Sequence, residues 1–174
     1  MKRILFLEML LVLLICGCEE EKKPLAIIET DFGSITIEFY HEDAPNTVKN
    51  FITLAKRGFY DGLTFHRIVP GFVIQGGDPL GDGRGNAGYK IAAEFNSRKH
   101  IEGTVAMARG DDINSASCQF YIALKRLPHL DGKYTVFGQV VSGMDVVHKI
   151  ASVKTRQNDR QVEPVYIRKI TIKE

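Results

Sequence analysis

Cysteine is scarce: three in 174 residues rule out a disulfide framework. Two of them, Cys16 and Cys18, sit in an apolar N-terminal stretch, and Cys118 is left as a lone thiol inside an apolar strand. With no helix start or adjacent cation to lower its pKa, Cys118 reads as a small core residue rather than a nucleophile. The five histidines, at positions 41, 66, 100, 129 and 148, show no HxxxH or Cys-His spacing, so no metal is expected. A Gly-x-Ser-x-Gly elbow is also missing, which removes the commonest hydrolase signature. Net charge is only +2 and the basic residues are scattered, so the chain carries no footprint for nucleic acid. There is no internal repeat and no sign of a second domain, and no cofactor is expected.

Two motifs that do occur lack their context. Gly83-x-Gly85-x-x-Gly88 spells a dinucleotide fingerprint, but the phosphate site needs a helix to begin there, and Tyr89-Lys90-Ile91 does not begin one. The glycines instead let a surface loop reverse direction. Arg109-Gly110-Asp111 spells an integrin-binding tripeptide, a pattern short enough to arise by chance.

The N-terminus, MKRILFLEMLLVLLICGC, places Lys2 and Arg3 before an apolar run interrupted by Glu8 and too short for a comfortable membrane span. Residues 1–17 are therefore expected to be an export signal. The run ends with Ile15 three places before Cys18 and the small Gly17 just before it, which resembles the lipobox of bacterial lipoproteins. That resemblance implies lipidation of Cys18 and a short tether over residues 18–24. It also implies attachment to a bacterial membrane, facing outside the cytoplasm. An ordinary secretory signal is the alternative.

From Leu25 to the C-terminus the composition, 44% hydrophobic and 25% charged over the whole chain, suits one globular domain. Leu25 to Thr30 and Ile35 to Phe39 predict a hairpin around Asp31-Phe32-Gly33. Asp43 is placed to cap a helix that starts near Pro45 and ends at Gly58, and a second helix is predicted over Met144 to Ser152. Further strands are predicted at Leu63–Val69, Phe72–Gly76, Thr104–Arg109, Gln119–Leu124, Tyr134–Val140 and Val165–Ile172. The last changes parity between Ile167 and Ile170, as a bulge would. Eight strands and two helices predict a mainly β fold: an eight-stranded antiparallel closed barrel capped by two α-helices.

FHRIVPGFVIQGGD, residues 65–78, sets Arg67 and Gln75 among residues that look buried. Burying either group without a partner costs several kcal/mol, on the order of 2–7 for an amide. By alternation Gln119 and Tyr121 share one face while Phe120 and Ile122 share the other; Val73 and Gln75 share a face, as do Arg67 and Phe65. Such mixed faces fit a peptide-sized groove. They equally fit Arg67 and Gln75 pairing across a hairpin as structural glue.

FHRIVPGFVIQGGD, MARG...NSASCQFYIAL and LPHLDGKYTVFGQVVSGMDVV resemble, in order and spacing, the signature blocks of the cyclophilins, a family of peptidyl-prolyl cis-trans isomerases. The resemblance implies a groove on the outside of the barrel, acting on proline-containing segments of client polypeptides, in a monomer without cofactor. By motif position Arg67 is the catalytic arginine. Phe72, Val73, Tyr121 and Leu130 line the proline pocket, Gln75 and Gln119 bond substrate or hold Arg67, and His66 and Tyr134 border the site. Ala108 and Arg109 stand where the backbone pairs with an extended peptide. Met107 and Phe120 fall in the same blocks, as substrate contacts or as support from behind. Gly76 and Gly77 are expected to leave room for backbone approach. The chain departs from the family at His129, where many members have tryptophan, which implies weaker binding of the macrocycle cyclosporin. It departs again at Tyr121, expected to add a hydroxyl at the pocket's edge, and at Ile113, Ser117 and Cys118. A binding module or chaperone without turnover, or a barrel carrying a small apolar ligand inside, are the rival functions.

Overall fold

A computed structural model describes residues 23–174. The expected export signal, Cys18 and most of the tether lie outside the described residues. Strands β1 (Leu25–Thr30) and β2 (Gly33–Phe39) form the predicted hairpin, with Leu25 opposite Glu38 and Thr30 opposite Gly33. Helix α1 (Pro45–Lys56) follows, then β3 (Arg67–Val69), β4 (Val73–Gly76), β5 (Thr104–Met107), β6 (Phe120–Ala123) and β7 (Val136–Ser142). Helix α2 (Met144–Ala151) and β8 (Ile167–Lys173) end the chain. A 3₁₀ turn at Pro128–Leu130 has no counterpart in the sequence pattern.

All strand pairs are antiparallel, in the order β3-β4-β6-β5-β7-β2-β1-β8. The closed barrel expected from the strand count gives way to a curled half-barrel whose terminal strands are β3 and β8. Pairing across the gap is made by residues 62–65, on the approach to β3, with Val165, Tyr166 and Ile167 at the start of β8. Gly62 N–H donates to Ile167 O, Phe65 N–H to Val165 O and Ile167 N–H to Leu63 O, with a single bridge between Thr64 and Tyr166. The run Leu63–Phe65 is thus spent on stitching the seam, which shortens β3 to three residues. The bulge in β8 is present: Glu29 faces Lys169 but Thr30 faces Ile167, so Arg168 is the extra residue.

Helix α1 corrects one expectation. Asp43 does not cap it; Ala44 is the N-cap and makes no side-chain bond. Glu94, nearly fifty positions away in the chain, takes that role. Its Oε1 accepts the Asn46 N–H at 3.0 Å, and its Oε2 accepts the Thr47 N–H and hydroxyl, each at 2.7 Å. Asp43 is engaged elsewhere, with Arg98 at 2.9 Å. Burial pushes the Glu94 carboxyl up, but the bonds from Thr47 and Asn46 outweigh it and leave the pKa lowered.

The apolar face of α1 carries Val48, Phe51, Leu54 and Ala55 inward, and α2 contributes Val146, Val147 and Ile150. Phe51 is the hub of the interior, 5.4 Å from Phe120, 5.0 Å from Tyr60 and 5.3 Å from Phe137 between ring centroids. These rings fill the space that a ligand-carrying barrel would leave open, which counts against that function. Gly76 and Gly77 also serve this packing rather than a substrate. A Cβ on Gly76 would meet Phe65 at 3.1 Å, and one on Gly77, at φ +83°, would meet the Cys118 carbonyl at 2.7 Å. Cys118 is fully buried in the core, and burial pushes its thiol up to about 11, as expected for an inert core residue.

Replacing Glu94 with alanine strips the N-terminus of α1 of its acceptor. The denaturant midpoint is expected to fall by the equivalent of about 1–2 kcal/mol, the usual size of a lost cap. An unchanged midpoint would show that the helix start is satisfied in some other way.

Candidate active site

The register of the sheet builds the site. Arg67 in β3 lies directly opposite Gln75 in β4, Gln75 opposite Tyr121 in β6, Tyr121 opposite Ala106 in β5, and Ala106 opposite Val136 in β7. Residues directly opposed across antiparallel strands point to the same face, so this row crosses five strands on the outside of the half-barrel. The positions one step along, Ile68, Ile74, Phe120, Ile122 and Val105, point inward to the main core. On the outer face Val73, Ala106, Tyr121, Leu130 and Val136 form a second, smaller apolar cluster, with Phe72, Ala108 and Tyr134 packed against it.

A cavity of about 150 Å³ opens over this cluster. Val73 and Tyr121 rise into it from the sheet as its floor, Phe72, Leu130, Tyr134, Ala108 and Arg109 complete its lining, and Arg67 and Gln75 are its polar members. Phe65 is not part of it. Its ring is fully buried in the core, because the regular alternation begins only at Arg67.

Arg67 keeps 39% of its side-chain surface exposed. Its Nη1 points to Gln75 Oε1 at 3.4 Å, its Nη2 lies 3.6 Å from Asp159 Oδ2, and its guanidinium carbon is 5.9 Å from the Phe72 ring centre. The Asp159 contact is a part-exposed salt bridge, worth about 0–1 kcal/mol and open to exchange for a substrate, and the Gln75 contact is long for a hydrogen bond. Both readings of Arg67 and Gln75 therefore hold: they pair across the hairpin, and together they face an open groove. Gln75 is itself held, since its Nε2 donates to Gln119 Oε1 at 2.9 Å, and Gln119 Nε2 donates to Gly83 O at 3.1 Å and Gly85 O at 2.8 Å. The glycine-rich loop thus serves as an acceptor for this amide chain. Gly85 has no room for a side chain: a Cβ there would sit 1.9 Å from Asp78 Oδ1.

The remaining expected residues fall into two groups. At the rim, His129 stacks on Phe72 with centroids 5.8 Å apart and planes 16° from parallel. Arg109 lies 4.8 Å above the Tyr134 ring, and its Nε and Nη2 both donate to Lys133 O at 3.1 Å, so the tripeptide it begins is tied down rather than displayed. The Ala108 N–H is used by Gln119 O at 2.9 Å. Away from the groove, Met107 and Phe120 are buried in the main core, and the expectation that they touch substrate is corrected to support from behind. His66 is buried beside Arg67 in the chain, and neither ring nitrogen has a partner among the described residues; burial chiefly lowers its pKa.

The Tyr121 hydroxyl is not at the pocket's edge either. It points away from the groove and sits 2.8 Å from Nε2 of His100, which is fully buried. His100 Nδ1 faces Asp131 Oδ1 at 3.2 Å, and Asp131 in turn binds Arg126 through both carboxylate oxygens, at 3.1 and 2.5 Å. Asp159, His100, Asp131 and Arg126 were not legible as site residues. Asp131 stands in a quoted motif block and Arg126 just before it, but the contacts of Asp159 and His100 with the site are made only in the fold.

The cyclophilin type peptidyl-prolyl cis-trans isomerase family model matches residues 25–172. Peptidyl-prolyl cis-trans isomerase ppi1 of Schizosaccharomyces pombe is 48% identical over 145 residues, covering 80% of this chain and 93% of that protein. A peptidyl-prolyl cis-trans isomerase of Helicobacter pylori is 47% identical over 138 residues, covering 76% and 84%. Among solved structures, a cyclophilin type peptidyl-prolyl cis-trans isomerase of Cryptosporidium parvum, crystallised in the presence of the dipeptide Ala-Pro, superposes with a TM-score of 0.82. It shares 29% sequence identity, with 86% of this chain and 99% of that one covered.

Buried histidines tie stability to pH. The pKa values of His66 and His100 are lowered from the ordinary 6.5, in both cases chiefly by burial, so the unfolded chain binds protons that the folded one resists. The stabilisation is complete above the unfolded value and is lost as pH falls toward the folded values. Asp131, held below the usual carboxylate range first by its bond from Arg126, adds a further loss at lower pH. The denaturation midpoint is expected to be level between about pH 7 and 8 and to fall below about pH 6.5. A midpoint that holds or rises from pH 7 to 5 would contradict this.

Proposed function

The chain belongs to the cyclophilin-type peptidyl-prolyl cis-trans isomerase family and is a peptidyl-prolyl cis-trans isomerase, and on that premise we propose that the groove beside Arg67 is where it rotates Xaa-Pro bonds. The observation that carries the assignment is the juxtaposition of a part-exposed guanidinium, held by the Gln75 amide and a part-exposed ion pair to Asp159, with a cavity lined on its apolar side by Phe72, Val73, Tyr121 and Leu130. The proline ring occupies that cavity.

Rotation about the prolyl amide faces a barrier of about 18–20 kcal/mol because nitrogen shares its lone pair with the carbonyl. No bond has to break. As the amide twists, nitrogen becomes pyramidal and regains a lone pair that can accept a hydrogen bond. Arg67 donates to it, and its planar set of N–H groups leaves others to hold the substrate carbonyl. The donor acts where it counts, on a charge distribution that exists only in the twisted state. Gln75, kept in place by Gln119, limits the swing of the guanidinium without neutralising it. The apolar walls hold the ring on one side of the bond and exclude water, which favours the planar and more dipolar amide. The peptide runs past Ala108 and Arg109, with His129 and Tyr134 at the rim.

The proposed setting is outside the cytoplasm, with Cys18 lipidated and the domain tethered to a bacterial membrane as a monomer that assists the folding of exported polypeptides. Lys2 and Arg3, the apolar run and the Ile15-x-Gly17-Cys18 pattern support it. Intact mass of the mature protein tests this: an acyl adduct on an N-terminal Cys18 is expected, and an unmodified Cys18 or cleavage elsewhere overturns it.

Arg67→Ala tests the catalytic assignment. A charged hydrogen bond of about 1.5–3 kcal/mol, at 1.36 kcal/mol per tenfold, predicts a fall in kcat/KM of about ten- to a hundredfold on a short Xaa-Pro peptide. The denaturation midpoint should barely change, because the side chain is part-exposed. Equal turnover by the two proteins would remove Arg67 from the reaction.

A further inference from the structure

Tyr121 poses a chemical problem to the groove. Its ring is on the floor of the proline cavity and its phenol is polar, yet the proposed rotation needs the side that holds the proline ring to be apolar and free of water. A hydroxyl free to turn toward the groove would hold water there or bond the substrate carbonyl, stabilising the planar amide that the site must destabilise.

The surroundings of the hydroxyl prevent this. Its only recorded partner among the described residues is His100 Nε2 at 2.8 Å, and the two rings lie nearly parallel, 15° apart with centroids at 6.0 Å. Asp131 sets the state of the imidazole: one carboxylate oxygen, Oδ1, receives both the His100 backbone N–H at 2.9 Å and ring Nδ1 at 3.2 Å. A carboxylate accepts only, so Nδ1 carries the proton and Nε2 presents a lone pair to the phenol. Arg126 locks the carboxylate and reaches back to His100 O at 3.2 Å, and the Leu127 N–H donates to the same carbonyl at 2.9 Å. Asp131 directly follows the 3₁₀ turn that supplies Leu130 to the cavity wall. His100 is therefore where the floor of the pocket, on β6, is joined to its wall, on the 127–131 segment.

We propose that His100 is a positioning residue for the isomerase: it draws the Tyr121 hydroxyl out of the groove and fixes the ring as an apolar floor in register with Leu130. This rests on the groove being the active site. The sequence does not pair these residues: Tyr121 and Asp131 stand in the motif blocks and Arg126 close before the second, but His100 lies outside the blocks and meets them only in the fold.

Three variants and one measurement on the unmodified protein test it, with peptide isomerisation assayed at a temperature where every variant is folded by circular dichroism. His100→Leu leaves the hydroxyl without its acceptor, and kcat/KM is expected to fall about tenfold, the scale of one hydrogen bond's worth of barrier. Adding Tyr121→Phe removes the stranded hydroxyl, and most of that loss is expected to return. A purely structural role for His100 predicts instead full activity in the folded single variant, or no recovery in the double one, and either result overturns the proposal. Arg67→Ala run alongside separates the two claims. If it is impaired while His100→Leu matches the parent, only the positioning role fails; if it too matches the parent, the groove assignment fails. Should His100→Leu not fold, nitrogen-15 shifts of His100 in the parent protein still decide: a protonated Nδ1 with bare Nε2 supports the arrangement, and the reverse tautomer overturns it.

Discussion

One row of directly opposed residues, Arg67, Gln75, Tyr121, Ala106 and Val136, carries the site across the sheet. Everything else about the groove follows from that register. Because side chains alternate at every step, a slip of one residue in β4 or β6 would send Gln75 or Tyr121 into the interior and bring Ile74 or Ile122 out. The inward partners of the row are what forbid the slip. Phe120 and Ile122 belong to a core of interlocked aromatic rings around Phe51, and burying each large apolar side chain contributes roughly 1.5–3 kcal/mol. The geometry of the outer face is therefore enforced by packing on the inner one, which is why a shallow surface groove can be as well defined as a core.

The electrostatics of the row show a second economy. A buried guanidinium–carboxylate pair would be pinned, whereas Arg67 has a neutral amide at 3.4 Å and, on its other nitrogen, a part-exposed salt bridge to Asp159 at 3.6 Å that is worth only about 0–1 kcal/mol. Gln75, Gln119 and the carbonyls of Gly83 and Gly85 form a chain of neutral dipoles that ends on backbone. Such a chain restricts the arginine's motion while leaving its charge and most of its N–H groups for a substrate. Asp159 sits at a left-handed backbone position, φ 59°, next to Asn158 at φ 70°, so the loop that brings it near Arg67 has an unusual shape for two residues without glycine's freedom.

Legibility of these features in the sequence divides by range. The hairpin of β1 and β2, both helices, the inward Phe120 and outward Tyr121, and the bulge at Arg168 all follow from apolar periodicity, because each is written in neighbouring residues. The motif blocks located the groove by resemblance. The features that escaped are those decided by distant contacts. Glu94 caps α1 because the N-cap falls on Ala44, one residue past Asp43, whose carboxylate Arg98 engages. Phe65 turns inward because its backbone bonds to Val165 rather than continuing β3. The sheet remains an open curl because β3 meets the start of β8 only through its approach, residues 62–65, and not through the strand itself. His100 looks like any isolated histidine until the fold surrounds it with Tyr121 and Asp131. In each case the local pattern was sound and a tertiary partner overrode it.

The share of the work done by the arginine limits how the rest must be distributed. A single charged hydrogen bond supplies about 1.5–3 kcal/mol against a barrier of about 18–20, which is one or two factors of ten in rate. The balance has to come from what the cavity does to the amide before Arg67 acts: gripping the ring between Phe72 and Leu130 and keeping water off the carbonyl. The pocket's dryness is then as much a catalytic property as the charge at its end. It is also the more fragile one, because it depends on side chains outside the cavity itself. Phe72 owes part of its orientation to the stacked His129 ring, and the floor owes its apolar character to where the Tyr121 hydroxyl is pointed. A groove of this kind can keep its catalytic arginine in place and still be detuned from behind, through the residues that hold its walls.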